Sequence, residues 1–305
     1  MLKPVTNFAT LLLLSGAIWT VLCSGQSQAS APASPCSVEQ VALRAADSTL
    51  LDGVLYQPGA NPRSTAILLV HGFGSNFYSG YFPLFARTAA VQGYATLALN
   101  MRDHDTGAKV FDFVDNEADI AAGLAYLRKL GHSKFVLLGQ SMGTNRVLYY
   151  QAATSDPSVA ATVLVAGPGN LFEWNVWQFG RKKAQAIVDE ALALQAAGQD
   201  QQLMLVDLGP LGKSLYSARY LLSLRGPKAR SDAYQNIQKV TNPVLIVQGT
   251  ADKLVDPAVA TRLKRAATSS PKADLISVDG AGHSFENHED ILAQRILAWL
   301  KEAAP

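Results

Sequence analysis

Short apolar runs and helical-period segments alternate along most of this chain, and they give way to other patterns at its start and in one internal stretch. Residues 38–44 and 50–56 each alternate apolar and polar positions around Ala46-Asp47-Ser48, which predicts an antiparallel hairpin. From there 66–70 is a continuous apolar run, 82–92 a helix ended by Gly93, and 95–99 the next strand. Over 116–130, Ile120, Leu124, Leu127 and Leu130 recur at spacings of three and four before Gly131, the stripe of an amphipathic helix with its stop signal. A strand at 135–138, a helix at 142–153 and a strand at 161–165 continue the rhythm. Strands this apolar are buried on both faces, as in parallel sheets covered by helices. Their alternation with helices is the doubly wound pattern.

The rhythm breaks at Gly167-Pro168-Gly169 and resumes with a strand at 243–247. The gap, about seventy residues without a clear strand, is far longer than the ~12–15 of a plain loop. It holds a helical stretch at 182–197 and the aromatic cluster Phe172, Trp174, Trp177 and Phe179. We read 170–240 as a helical cap inserted into a core made of 38–169 and 241–305. A helix at 257–267, a strand at 273–278 and a helix at 290–300 close the pattern, and no internal repeat is visible.

The first residues do not belong to this rhythm. Lys3, an apolar run over 8–22 and the small residues of Ser27-Gln28-Ala29 predict a cleaved signal peptide at 1–29, followed by a flexible linker at 30–37. Export to the periplasm or the medium is the expectation. The alternative is a membrane anchor over 8–23, which falls short of the ~20 apolar residues of a span; membrane contact is expected only if this segment stays uncleaved. Leu22 occupies the place before Cys23 where a lipoprotein signal needs a small residue, which argues against lipidation. Cleavage would leave Cys36 as the one cysteine, so no intramolecular disulfide is expected, and Cys36 reads as an incidental residue of the tether.

Composition narrows the function classes. Hydrophobic residues make up 49% and charged residues 16%, enough apolar material for a large core. The formal net charge is +2 with no Lys/Arg-rich stripe, so a nucleic-acid partner has no electrostatic footprint. A small molecule, neutral or weakly charged, is the expected partner.

Gly139-Gln140-Ser141-Met142-Gly143 lies between a strand and a helix. A serine lifted onto such a turn exposes its Oγ, small neighbours relieve the crowding, and the helix aims its N–H groups at the site. His71-Gly72-Phe73-Gly74 follows another strand. Backbone N–H groups of Phe73 and Met142 would together form an oxyanion hole. Asp252, in Gly249-Thr250-Ala251-Asp252, stands beyond a strand's carboxyl end, where functional groups gather in open sheets. Its competitor Asp256 precedes Pro257 and reads as a helix cap. Of the five histidines, His283 sits on the Gly-rich loop Gly280-Ala281-Gly282-His283-Ser284 after a strand and is the candidate base, with His288 second. The order Ser141, Asp252, His283 is that of a nucleophile-elbow triad.

Together these segments resemble the α/β-hydrolase family over about 38–300, in its serine esterase and lipase-like branch. The resemblance implies an eight-stranded, mostly parallel sheet flanked by helices and a triad mechanism with no metal or organic cofactor. Gly74-Ser75-Asn76-Phe77-Tyr78 with Asn100–Asp105 is also similar to a branch that includes fungal siderophore esterases. The serine at 141 disfavours the dehalogenase and epoxide hydrolase relatives, which place Asp there, and the dienelactone hydrolases, which place Cys. No metal is expected, because no H-E-x-x-H or Cys/His cluster is present. A Gly-x-Gly-x-x-Gly after a strand is absent too, so no dinucleotide is implied. The expected activity is hydrolysis of a small-to-medium carboxylic ester, with His71, Trp174 and Trp177 as substrate contacts. Amide or thioester hydrolysis, acyl transfer, and a non-catalytic ligand-binding role on the same scaffold are the alternatives.

Overall fold

The computed structural model describes residues 35–304, so the expected signal segment lies outside the described residues. The hairpin forms as expected: β1 (Cys36–Arg44) runs antiparallel to β2 (Leu50–Pro58), with Arg44 opposite Leu50. Asp47 shapes the reversal by accepting the Thr49 N–H at 3.1 Å. Cys36 opens β1 opposite Pro58 and is 3% exposed, so the folded part starts two residues before the expected linker ends.

Strand–helix alternation follows, with β3 (Thr65–Val70), α1 (Phe82–Val91), β4 (Thr96–Leu99), α2 (Asn116–Lys129), β5 (Lys134–Gln140), α3 (Met142–Thr154) and β6 (Val159–Val165). The insertion carries α4 (Leu171–Phe179), α5 (Arg181–Ala196), β7 (Leu203–Asp207), β8 (Lys213–Ser217) and α6 (Ala218–Arg225). The chain then closes with α7 (Ala233–Ile237), β9 (Val244–Gly249), α8 (Ala258–Ala266), β10 (Ala273–Val278) and α9 (Glu289–Ala303). The main sheet has eight strands in the order β1-β2-β4-β3-β5-β6-β9-β10. Its β1–β2 and β2–β4 pairs are antiparallel and the others parallel.

The apolar runs of β3, β4, β5, β6 and β9 bury both faces. In β3, Ala66, Leu68 and Val70 face a core layer shared with α2, α3, α7 and α8, while Ile67 and Leu69 face the layer of α1 and α9. Burying one such leucine or isoleucine stabilises the fold by about 1.5–3 kcal/mol. This two-sided demand is why the strands read so plainly.

The insertion differs from its expectation in two ways. It is not purely helical, since β7 and β8 pair as an antiparallel hairpin. Met204 and Val206 point inward, but the outward positions Leu203 and Leu205 are apolar as well, so no alternation shows in the sequence. Second, α7 falls inside the expected cap range but packs into the same core layer as α3 and α8. Asn145 of α3 marks the true junctions, since its Nδ2 donates to Gly169 O at 2.7 Å and to Ser231 O at 2.8 Å. Asn170 Nδ2 also donates to Asp232 Oδ2 at 2.9 Å, joining the residue that caps α4 to the one that caps α7. Among the described residues, no helix is long and apolar enough to cross a membrane.

Candidate active site

Ser141 joins β5 to α3 with φ 53° and ψ −125°, a conformation non-glycine residues rarely adopt and which costs of order 1–3 kcal/mol. The surroundings enforce it. Ser141 N donates to Val165 O at 2.8 Å, and Ser141 O accepts from Thr144 N at 2.9 Å and Thr144 Oγ1 at 2.8 Å. The flanking glycines make the turn possible: a Cβ on Gly143 would overlap the Val70 carbonyl oxygen, and one on Gly139 would overlap that of Gly143.

The loop after β3 lies against this serine, since a Cβ on Gly72 would stand 2.8 Å from that of Ser141. Phe73 comes next, its ring stacked on Tyr216 of β8 at 5.9 Å between centroids. Met142 is the first residue of α3, so its N–H has no acceptor within the helix. The segments singled out as 74–78 and 100–105 brace this loop: Asn100 Oδ1 accepts the Phe77 N–H at 2.9 Å, and Asn76 Nδ2 donates to Asp105 Oδ1 at 2.7 Å.

On the other side, Asp252 follows β9 and its Oδ2 lies 2.9 Å from His283 Nδ1. Oδ2 also accepts from Gln248 Nε2 at 3.0 Å, and Oδ1 from the N–H groups of Leu254 (2.8 Å) and Val255 (2.9 Å). Burial pushes the Asp252 carboxyl up, but the His283 ring and these N–H groups outweigh it and hold the group below the usual carboxylate range. Ser141, His283, Gly72, Phe73 and Leu254 line one cavity of about 210 Å³. The three candidate triad residues are thus brought to one place. Asp256 instead accepts the Ala258 N–H at 2.9 Å at the start of α8, and His288 sits at the N-terminus of α9 with Nδ1 against Glu286 O.

The expected substrate contacts fare differently. His71 is 1% exposed, and both ring nitrogens are taken by backbone: Nδ1 donates to Gly72 O at 2.7 Å and Nε2 accepts the Met101 N–H at 3.0 Å. It shapes the loop rather than facing a ligand. Burial, helped by the Arg146 charge, pulls its imidazole down to about 3. An unfolded histidine protonates near 6.5, so the stability from keeping this ring neutral is complete above 6.5 and is lost as pH falls towards 3. The free energy of urea unfolding should therefore drop by a few kcal/mol between pH 7 and pH 4, and less steeply in His71→Gln. Equal drops in both proteins would refute this role.

Trp174 is 6% exposed, donates through Nε1 to Leu254 O at 2.8 Å, and lines a narrow cleft beside Ser141 and Met142. Trp177 is 47% exposed and lines a separate cleft with Glu173, Arg181 and Arg262, apart from the serine.

Sequence reasoning missed a buried polar network beneath the site. Arg146 of α3, fully buried, donates through Nη2 to both oxygens of Asp103 at 2.7 and 2.8 Å and through Nη1 to His71 O at 3.0 Å. The Tyr220 hydroxyl, from α6 in the insertion, also donates to Asp103 Oδ2. Lys109 Nζ donates to the carbonyls of Asp103 and Asp105. Burial pushes the Asp103 carboxyl up, but the Arg146 charge and the Tyr220 hydroxyl hold it below the usual range. The one available signal was an arginine in the apolar helix just after Ser141. Among the described residues, no group of three or more His, Cys, Asp or Glu side chains is placed to hold a metal ion.

An open sheet of this order, with a strained serine at a central strand-to-helix turn, is the frame of the α/β hydrolases. The sequence pattern that defines the alpha/beta hydrolase family matches residues 67–295, and the chain belongs to that family. It is 26% identical over 187 residues to a pimeloyl-[acyl-carrier protein] methyl ester esterase of Xanthomonas campestris pv. campestris, covering 53% of this chain and 68% of that one. It is 28% identical over 247 residues to a 2-(acetamidomethylene)succinate hydrolase of Mesorhizobium japonicum, covering 71% and 81% respectively. Among solved structures, the esterase domain of a Rhodothermus marinus protein superposes with a TM-score of 0.61 at 20% identity, covering 87% of this chain and 98% of that domain.

Proposed function

We propose that this protein is a serine hydrolase that cleaves a small-to-medium carboxylic ester through an acyl-enzyme intermediate. The observation that carries the reading is the Asp252–His283 hydrogen bond of 2.9 Å, set in one cavity with a serine on a strained elbow. Asp252 holds the imidazole with its proton on Nδ1, which leaves Nε2 to accept the Ser141 proton as Oγ attacks the ester carbonyl. The N–H groups of Phe73 and Met142 receive the oxyanion. The proton then passes from His283 to the departing alcohol, and water, deprotonated by the same ring, releases the acid. The ester preference rests on a relative named as a methyl ester esterase and on the esterase fold neighbour.

A fluorophosphonate probe tests the assignment, paired with p-nitrophenyl esters of increasing chain length. Wild type should label and turn over, while folded Ser141→Ala and His283→Ala should do neither. Turnover that survives in Ser141→Ala would sink the reading. A folded wild type that neither labels nor turns over would point instead to a ligand-binding role.

A further inference from the structure

Arg225 of the insertion lines the cleft beside the serine, and the buried side chains of Asn175 and Tyr216 stand next to its guanidinium. Arg225, the last residue of α6, is 5% exposed. Its Nε donates to Asn175 Oδ1 at 3.2 Å, and its guanidinium lies 5.7 Å from the centre of the Tyr216 ring. Arg225 Nη1 and Asn175 Nδ2 are buried without a hydrogen-bond partner, and the buried Tyr216 hydroxyl has only the Arg225 guanidinium beside it, with no acceptor for its own proton.

Other buried arginines of this chain are not left so. Arg102 has Asp119 at 2.7 Å, and Arg146 has Asp103 at 2.7 Å. Among the described residues, no carboxylate pairs with Arg225. A buried charge without a counter-ion is strongly disfavoured, and burial of an unpaired donor adds to the cost. Such a group persists where a ligand completes it. Burial pushes the Tyr216 hydroxyl up to about 12, so it stays protonated and can only offer a hydrogen to a nearby anion.

The position of this set gives it a purpose. Arg225 lines the narrow cleft of Ser141, Met142, Phe73, Leu171 and Trp174. Its free space is about 20 Å³, little more than one water needs, so only a short chain can enter it. The wider cavity, with Ser75, Ser79 and His283, meets the cleft at Ser141, Phe73, Leu211 and Leu254 and suits the alcohol part.

We propose that the substrate is a monoester of a short dicarboxylic acid, whose free carboxylate is held by Arg225, Asn175 Nδ2 and the Tyr216 hydroxyl. This rests on the reading of Ser141 as nucleophile. A guanidinium fork matches a carboxylate in two parallel hydrogen bonds, and the apolar walls take the methylenes between. Ser141 Oγ forms the new acyl bond as the ester C–O bond breaks, and the leaving alcohol takes the proton from His283. Water then cleaves the acyl-enzyme, giving the diacid and free Ser141.

The test compares monomethyl succinate with methyl butyrate as substrates. Wild type should favour the hemiester in kcat/KM by roughly tenfold or more, and Arg225→Met should abolish the preference, with Arg225→Lys in between. Equal kcat/KM for both esters in wild type, or a preference unchanged in Arg225→Met, would overturn the proposal. Calorimetric binding to folded Ser141→Ala separates this proposal from the nucleophile assignment. Binding of monomethyl succinate but not methyl butyrate, lost on adding Arg225→Met, supports the anion site even if Ser141→Ala keeps its turnover. Probe labelling of wild type without any such binding overturns the anion site and leaves the triad standing. Should Arg225→Met not fold, the same two titrations of Ser141→Ala decide alone: selective binding supports the site and equal binding overturns it.

Discussion

Asp252→Asn is expected to lower kcat by about 10,000-fold with the fold intact, the size of effect a misplaced imidazole proton has in a Ser-His-Asp triad. Oδ2 now accepts from His283 Nδ1 at 2.9 Å. An amide NH2 in its place donates to Nδ1 instead, which moves the ring proton to Nε2. That nitrogen then has no lone pair for the Ser141 proton. The Leu254 and Val255 N–H groups still find Oδ1, so the loop keeps its shape. Ser141→Ala, at about a millionfold, sets the floor of the same assay. Thermal unfolding alongside the kinetics separates lost chemistry from lost structure. A loss under about tenfold in Asp252→Asn would mean that another group orients His283.

Arg146→Met should destabilise the protein by about 3–5 kcal/mol, because it leaves the Asp103 carboxylate buried and without its cation. Arg146 and Asp103 have side chains 0% and 2% exposed, so water cannot take the place of the lost partner. The damage also reaches the site, since Arg146 Nη1 anchors the carbonyl of His71, two residues before Phe73. The double variant Arg146→Met, Asp103→Leu should unfold closer to wild type than Arg146→Met alone, because the uncompensated charge is gone. Urea midpoints of the three proteins measure this. A single variant within about 1 kcal/mol of wild type would show that the pair contributes little to stability.

These two predictions differ in how far the sequence reveals them. The placement of Ser141, Asp252 and His283 at one site could be read because each stands in a local pattern that mirrors its geometry: a glycine-flanked elbow, the carboxyl end of an apolar run, a Gly-rich loop. The parallel strands were legible for a related reason, since burial on both faces forces continuous apolar runs. Arg146, Asp103 and Tyr220 lacked any such pattern. Their partners lie 43 and 117 residues apart, and nothing local distinguishes a buried ion pair from two surface charges. The β7–β8 hairpin hid for the opposite reason, because Leu203 and Leu205 are apolar yet 45% and 65% exposed. His71 was correctly placed in its loop, but the burial that turns its ring onto backbone depends on Met101, a residue of the neighbouring strand's loop. The aromatic cluster blurred two roles, since Trp174 reaches the cleft beside Ser141 and Trp177 does not.

Asn145 grips the insertion at both ends, through Gly169 and Ser231, and Asn170 with Asp232 closes the gap between them. The chain therefore departs from and rejoins the scaffold at a single gate. What lies between is a cassette whose exchange leaves the strands in place, provided that Tyr220, Tyr216 and Trp174 keep their contacts with Asp103, Phe73 and Leu254. Arg225, which lines the cleft beside Ser141, rides on that cassette, whereas Ser141, His283 and Asp252 do not. Under the proposed function, descendants of this protein can thus change what they recognise by trading part of one loop's contents, without reinventing how they react.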